Sequence, residues 1–377
     1  MLIDRIITHK IKKYLSEQGK DVILLYGPRQ AGKTTIIKEI LGQIGESGKY
    51  FSGDDLAAQE IFSRNELESL KRYAERGKII VIDEAQRIAN IGLSLKLMHD
   101  EIGARVIASG SASFDLADKI SEPLTGRTRT FMLYPLAYEE VKSRYTGALP
   151  DTMLGELLRF GMLPRVHTFG SNAEKENYLY EYINNYLYKD ILAFSGVRKP
   201  KKAVDLLSLL ALQIGSEVKI SELAQNLAIS QQVVGRYLEI FEKMFVLVNL
   251  RGFSRNLRKE ISKTSKYFFL DLGLRNALIR NFNPLNLRAD AGALFENFFV
   301  IEKIKKSANR DQPANFYFWR TYDQKEIDLI EERGGKLIGY ECKFSAKKEI
   351  KPPKDWLAAY ENAEFKPITA DNFSSEL

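Results

Sequence analysis

Residues 21–35 read DVILLYGPRQAGKTT, and this stretch decides the fold. Val22 to Tyr26 is an apolar run of the kind that forms a buried strand. It ends at Gly27, where the spacing G-x-x-x-x-G-K-T begins, and a helical run from Lys33 to Leu41 follows. Strand, glycine-rich turn and helix in that order are what a phosphate-binding loop requires. Glycines let the backbone curl until its N–H groups point inward, and the helix N-terminus adds partial positive charge. The pattern assigns Gly27, Pro28, Arg29, Gln30, Ala31, Gly32, Lys33, Thr34 and Thr35 to nucleotide binding. Lys33 is expected on the β- and γ-phosphates and the Thr34 hydroxyl on Mg²⁺. ATP is the expected nucleotide, although such a loop reads phosphates and leaves the base unread.

Two further runs extend the site. Residues 78–84 read KIIVIDE, an apolar strand ending in two carboxylates. Charges at the end of a buried strand are costly unless something uses them. Asp83 is expected to hold Mg²⁺ and Glu84 to act as general base on the attacking water. Residues 105–111 read RVIASGS. Ser109 at that tip either senses the γ-phosphate or caps the next helix. The stretch LTGR at 124–127 offers Arg127, ahead of Arg129, as an arginine finger, in trans on a neighbouring subunit or in cis. The alternative is a strand-edge arginine in a surface ion pair.

Short strands alternating with helices up to about Pro150 imply a parallel sheet with crossover helices, an α/β class. The chain has 377 residues, and the expected division is 1–150, 151–283 and 284–377. The middle part is mostly helical. Tyr178, Tyr182 and Tyr186 at four-residue steps predict one buried helical stripe. Residues 219–253 read as a short helix, a turn, a second helix and a β-wing, a winged helix-turn-helix pattern. Gln231, Gln232 and Arg236 are its candidate base or phosphate contacts, with Arg251 and Arg255 tracking a backbone. The alternative is a packing module with a solvated basic run.

In the third part a helix from Ala291 to Lys306 precedes strands at 315–320, 326–331 and 336–344. The placement of Glu296, Asp328, Glu341 and Lys343 resembles the PD-(D/E)XK nuclease fold. Residues two apart on a strand share a face, so Glu341 and Lys343 point together. Such carboxylates can hold Mg²⁺ while the lysine orients a water. Any half-exposed strand shows the same alternation.

Composition is that of a globular chain, 45% apolar and 28% charged. The formal charge of +7 favours a phosphate polymer such as DNA as partner, or only solubility. A single cysteine, Cys342, excludes an intrachain disulfide framework. No apolar run approaches the roughly 20 residues of a membrane span, and the charged N-terminus lacks a signal-peptide core. The expected location is cytoplasmic.

Taken together, GPRQAGKTT, VIDEAQ, SGSAS, LTGR and FMLYPLAYEE, with FGMLPRV, YINNYLYKDIL and YFFLDLGLRNAL downstream, resemble a prokaryotic AAA+-like P-loop ATPase family. Its members carry a C-terminal domain of unknown function. The resemblance covers nearly the whole chain. It implies an oligomerising ATPase with a helical lid and a winged helix, in which Gly27, Gly32, Lys33 and Thr34 bind phosphate and Mg²⁺ and Asp83 and Glu84 form the acidic pair. Members often have threonine before the glycine where this chain has Ser109, which keeps the hydroxyl. Three functions follow as expectations: Mg²⁺-dependent ATP hydrolysis driving conformational change, an ATP-gated nuclease using Asp328 and Glu341, or a nucleotide-dependent switch with negligible turnover.

Overall fold

The computed structural model describes residues 3–17, 19–44, 48–111, 123–146, 150–193, 199–253, 265–321, 323, 325–345, 349–360 and 362–377. The chain divides into two compact units. One comprises the chain up to Leu136 with Lys243–Phe245, the other Ala137–Glu242 with Val246–Leu377.

The first unit is built on five strands: β1 (Val22–Tyr26), β2 (Gly48–Ser52), β3 (Ile79–Asp83), β4 (Arg105–Gly110) and β5 (Thr128–Met132). Every pairing is parallel, in the order β2-β3-β4-β1-β5. β1 lies inside the sheet with all five residues buried, because crossover helices cover both faces. Its side chains alternate between two cores. Val22, Leu24 and Tyr26 join Ile80 and Ile82 on one face. Ile23 and Leu25 join Ile36, Ile37 and Ile40 of the helix Lys33–Ile44 on the other. That burial fixes the helix directly behind the turn that leaves β1. The parallel α/β sheet with flanking helices expected from the sequence is the fold observed.

The second unit carries seven strands: β6 (Glu217–Val218), β7 (Leu247–Gly252), β8 (Ser265–Phe269), β9 (Asn315–Arg320), β10 (Glu326–Arg333), β11 (Lys336–Lys343) and β12 (Ala363–Thr369). They form one sheet in the order β12-β11-β10-β9-β7-β8-β6. β7 therefore hydrogen-bonds to the C-terminal strand β9, while β8 pairs with β7 and β6. β7 runs parallel to β9, with Arg251 opposite Tyr317 and Gly252 opposite Phe318. This pairing places β6 to β12 in one compact unit. The helix Ala291–Asn309 packs on the sheet through Phe295 and Phe299, both fully buried. Its Asn297 accepts from Phe269 N–H and donates to Phe269 C=O, both at 2.8 Å, which locks the helix to the end of β8.

Helices Ile220–Leu227 and Gln231–Lys243 are joined by a turn in which Ala228 is left-handed, φ +50°. In the tyrosine-rich segment Tyr178 and Tyr182 are buried and Tyr186 half-buried, with successive ring centroids 6.4 and 5.5 Å apart. Among the described residues no helix is long and apolar enough to cross a membrane.

Candidate functional site

The turn after β1 is a tight concavity. A Cβ on Gly27 would lie 2.1 Å from the Leu133 carbonyl oxygen, so β5 approaches closer than any side chain allows. Gln30 (φ +58°) and Gly32 (φ +103°) turn the loop back onto the helix. Lys33 is buried, and its ammonium donates to Gly27 O and Pro28 O, each at 2.9 Å. Arg5, which sequence reading missed, is also buried. Its guanidinium donates to Ala31 O at 2.7 Å and to Tyr134 O at 2.8 Å, bracing the loop from behind.

Asp83 closes the concavity from β3 and is only 3% exposed. Its Oδ2 accepts from Thr34 Oγ1 at 2.7 Å and from the Tyr50 hydroxyl at 2.9 Å. Its Oδ1 accepts from Ser109 Oγ and, at 3.2 Å, from Glu84 N–H. Burial and the facing Asp83 carboxylate push the Tyr50 phenol above its ordinary range, so it remains a donor at neutral pH. Glu84 has left-handed backbone (φ +51°, ψ +41°), a costly state for this residue type. Its Oε2 accepts from Gln86 Nε2 at 2.6 Å and Ser111 Oγ at 3.2 Å. Gly53 packs under this turn. A Cβ there would sit 2.3 Å from Glu84 O, and Gly53 N–H donates to Asp83 O at 2.7 Å.

The structure thus brings Lys33, Thr34, Asp83, Glu84 and Ser109 together at the carboxyl end of the strands. Ser109 is spent on Asp83 and on Glu84 N–H, its nearest polar neighbours there. Arg127 lies elsewhere. It precedes β5, and its carbonyl accepts from Val22 N–H at the amino end of β1. That end is about 13 Å from the loop, at about 3.3 Å per strand residue. Its guanidinium pairs with Asp100 at 3.0 Å. An in-cis finger is incompatible with this placement, and the surface ion pair is what the structure contains. Hard oxygen donors on Thr34 and Asp83, 2.7 Å apart below a lysine-bearing loop, suit Mg²⁺ and a triphosphate.

The second unit gathers Glu296, Asp328, Glu341 and Lys343, but around another residue. Lys266 of β8, 2% exposed, pairs with Glu296 at 3.0 Å and with Glu326. Asp328 Oδ2 accepts from Cys342 N–H at 2.8 Å, and Lys343 pairs with Glu341 at 2.6 Å. Burial, then repulsion from Asp328, pushes Glu296 up to about 8, and the same two causes raise Glu341. Burial also raises Asp328. Burial alone would lower Lys266, but Glu296, Glu326 and Asp328 outweigh it and hold the ammonium well above its ordinary range. Among the described residues no group of three His, Cys, Asp or Glu side chains is arranged to hold a metal ion.

On the helix Gln231–Lys243, Gln231, Gln232 and Arg236 are exposed, as is Arg251 on β7. Arg255 lies outside the described residues.

Three family models match consecutive stretches. An AAA domain covers 19–142, a domain of unknown function (DUF8612) 151–285, and a second domain of unknown function (DUF4143) 291–371. An uncharacterized protein of Mycobacterium tuberculosis is 31% identical over 334 residues, spanning 87% of this chain and 71% of that one. An uncharacterized protein of Methanocaldococcus jannaschii is 24% identical over 377 residues, spanning 94% and 81%. Among solved structures, the Thermotoga maritima RuvB Holliday junction branch migration motor is similar over 69% of this chain and 95% of that one. Its TM-score is 0.35 at 15% identity.

Proposed function

The chain belongs to the family of its mycobacterial relatives, with an AAA domain at residues 19–142, and on that premise we propose that it binds ATP with Mg²⁺ and hydrolyses it. One observation carries this reading. Lys33, Thr34, Asp83 and Glu84 converge on the glycine turn that opens the helix Lys33–Ile44, with Lys33 and Asp83 buried.

In this reading Lys33 leaves Gly27 O and Pro28 O for phosphate oxygens. Thr34 and Asp83 would hold Mg²⁺, which when bound neutralises charge on the β- and γ-oxygens. Glu84 accepts the proton of the water whose oxygen attacks the γ-phosphorus, and the bond to the β,γ-bridging oxygen breaks. Gln86 and Ser111 aim the Glu84 carboxylate, while Ser109 and Tyr50 aim Asp83.

A nucleic-acid partner is supported by Gln232 and Arg236, exposed one turn apart on the second helix of the helix-turn-helix, in a chain of charge +7. A second copy of the chain is a further proposed partner, since an Arg127 finger could act only in trans. It would first have to leave Asp100.

ATP turnover of the wild type, Lys33→Ala and Glu84→Gln, with and without duplex DNA at several salt concentrations, tests this. Wild-type turnover is expected to fall at least about 100-fold in both variants, with ATP still bound by Glu84→Gln. Binding without wild-type turnover would replace the hydrolase with a nucleotide switch. Absence of binding would refute the site, and DNA indifference at low salt would remove the nucleic-acid partner.

A further inference from the structure

The second unit gathers four carboxylates with a buried lysine among them. Glu296 comes from the helix Ala291–Asn309, Glu326 and Asp328 from β10, and Glu341 from β11. Lys266 reaches them from β8, a strand that precedes the C-terminal segment in sequence and joins it through the shared sheet. Its ammonium takes Glu296 and Glu326, and it lies 5.5 Å from the Phe318 ring centroid. Asp328 Oδ2 is committed to Cys342 N–H, and Lys343 takes Glu341 Oε1. Glu341 Oε2 is buried without a hydrogen-bond partner among the described residues.

We propose that Lys266 is a tethered cation standing in for a divalent ion, so that the folded C-terminal region is a metal-free module and not a nuclease. An ammonium and a divalent ion compete for the same carboxylate oxygens. With Lys266 in place Glu296 is withdrawn from the donor set, and among the described residues no three acidic side chains are arranged to hold an ion. The tethered group has the advantage of high local concentration and is already desolvated, with its charge compensated on two sides. Removing Lys266 would expose Glu296, Asp328 and Glu341, including the unsatisfied Oε2, as a three-carboxylate set. This inference is independent of the ATPase reading, because it concerns residues of the other unit.

The test is Mn²⁺ binding to the nucleotide-free full-length chain, followed by the EPR signal of free Mn²⁺ up to about 1 mM, a weak-site limit. Wild type and Glu341→Gln are expected to bind equal amounts. Lys266→Met, and Lys266→Gln as the variant that keeps a polar stem, should gain one site at least tenfold tighter than any wild-type affinity at this cluster. That gain should vanish when Glu341→Gln is added. A wild-type site lost in Glu341→Gln would overturn the proposal without recourse to the lysine variants. So would a folded Lys266 variant, checked by circular dichroism, that gains no site.

Discussion

Replacing Tyr50 by Phe removes one hydroxyl and leaves the ring, so it isolates the bond to Asp83. That bond is 2.9 Å long and ends on Oδ2, the oxygen that also accepts from Thr34. Hydrogen bonds to charged groups contribute about 1.5–3 kcal/mol. Tyr50 is 37% exposed on edge strand β2, so water can replace part of the interaction and the lower end applies. About 1.5 kcal/mol corresponds to roughly tenfold in rate. The expected result is a tenfold loss of kcat/KM for ATP at limiting Mg²⁺, shrinking as Mg²⁺ is raised. The midpoint of unfolding should fall as well, by no more than the same figure of about 1.5 kcal/mol allows, because the bond also holds Asp83 in the fold. The assay is steady-state ATP turnover across a Mg²⁺ series, with an unfolding curve for each protein. Wild-type kinetics at every Mg²⁺ concentration would refute the reasoning. A rate loss that ignores Mg²⁺ but tracks a lowered midpoint would show that Tyr50 serves only the fold.

Gly53→Ala forces a methyl toward Glu84 O, 2.3 Å from an ideal Cβ, and the displaced turn should cost about 1–3 kcal/mol of stability. Turnover should fall by tenfold or more with ATP affinity nearly kept, measured as a kcat against KM split. His167 bears on pH: burial first, then Lys175, lowers its imidazole from 6.5 to about 4, and its Nε2 is buried. A base whose folded pKa is depressed takes up protons more readily when unfolded, so its contribution is intact above about 6.5 and is lost as pH falls toward 4. At most about 3 kcal/mol is involved. Urea unfolding at pH 7 and pH 5 should show a steeper acid loss in wild type than in His167→Gln, and equal losses would discard this source.

The phosphate loop and the acidic pair were legible because each is local. Strand, turn and helix are consecutive in 22–44, and Asp83 follows directly on its own strand. Tyr50 and Gly53 gave no such signal. Gly48–Ser52 is a short strand without strong apolar alternation, and only its register against β3, Ser52 beside Asp83, brings its neighbours to the site. Arg5 acts across 26 residues on Ala31 O and carries no motif. For Arg127 the sequence already argued against the in-cis placement. In a parallel sheet, loops after strands share one end, and an arginine just before a strand belongs to the other. The joining of β7 to β9 was invisible because strand pairing over such separations is decided by packing, not by periodicity. Lys266 was missed for the same reason.

Each unit buries charge, and the two do so with different partners. In the first unit Asp83 is held by hydroxyls and an N–H, and Lys33 donates to backbone carbonyls. These are neutral partners for charged groups, so each bond is charged on one side only and neither group meets an opposite charge there. A triphosphate offers Lys33 full negative charge, and a divalent ion offers Asp83 full positive charge. The arrangement is therefore poised to exchange partners on binding, while Arg5 keeps the loop from collapsing in the interval. In the second unit the lysines already face carboxylates. An incoming ion would have to displace a cation that the fold itself supplies, and leave that cation buried and unpaired. Breaking a buried pair in that way costs about 3–5 kcal/mol, which is why chemistry is expected at Lys33 and Asp83 and not at Glu341.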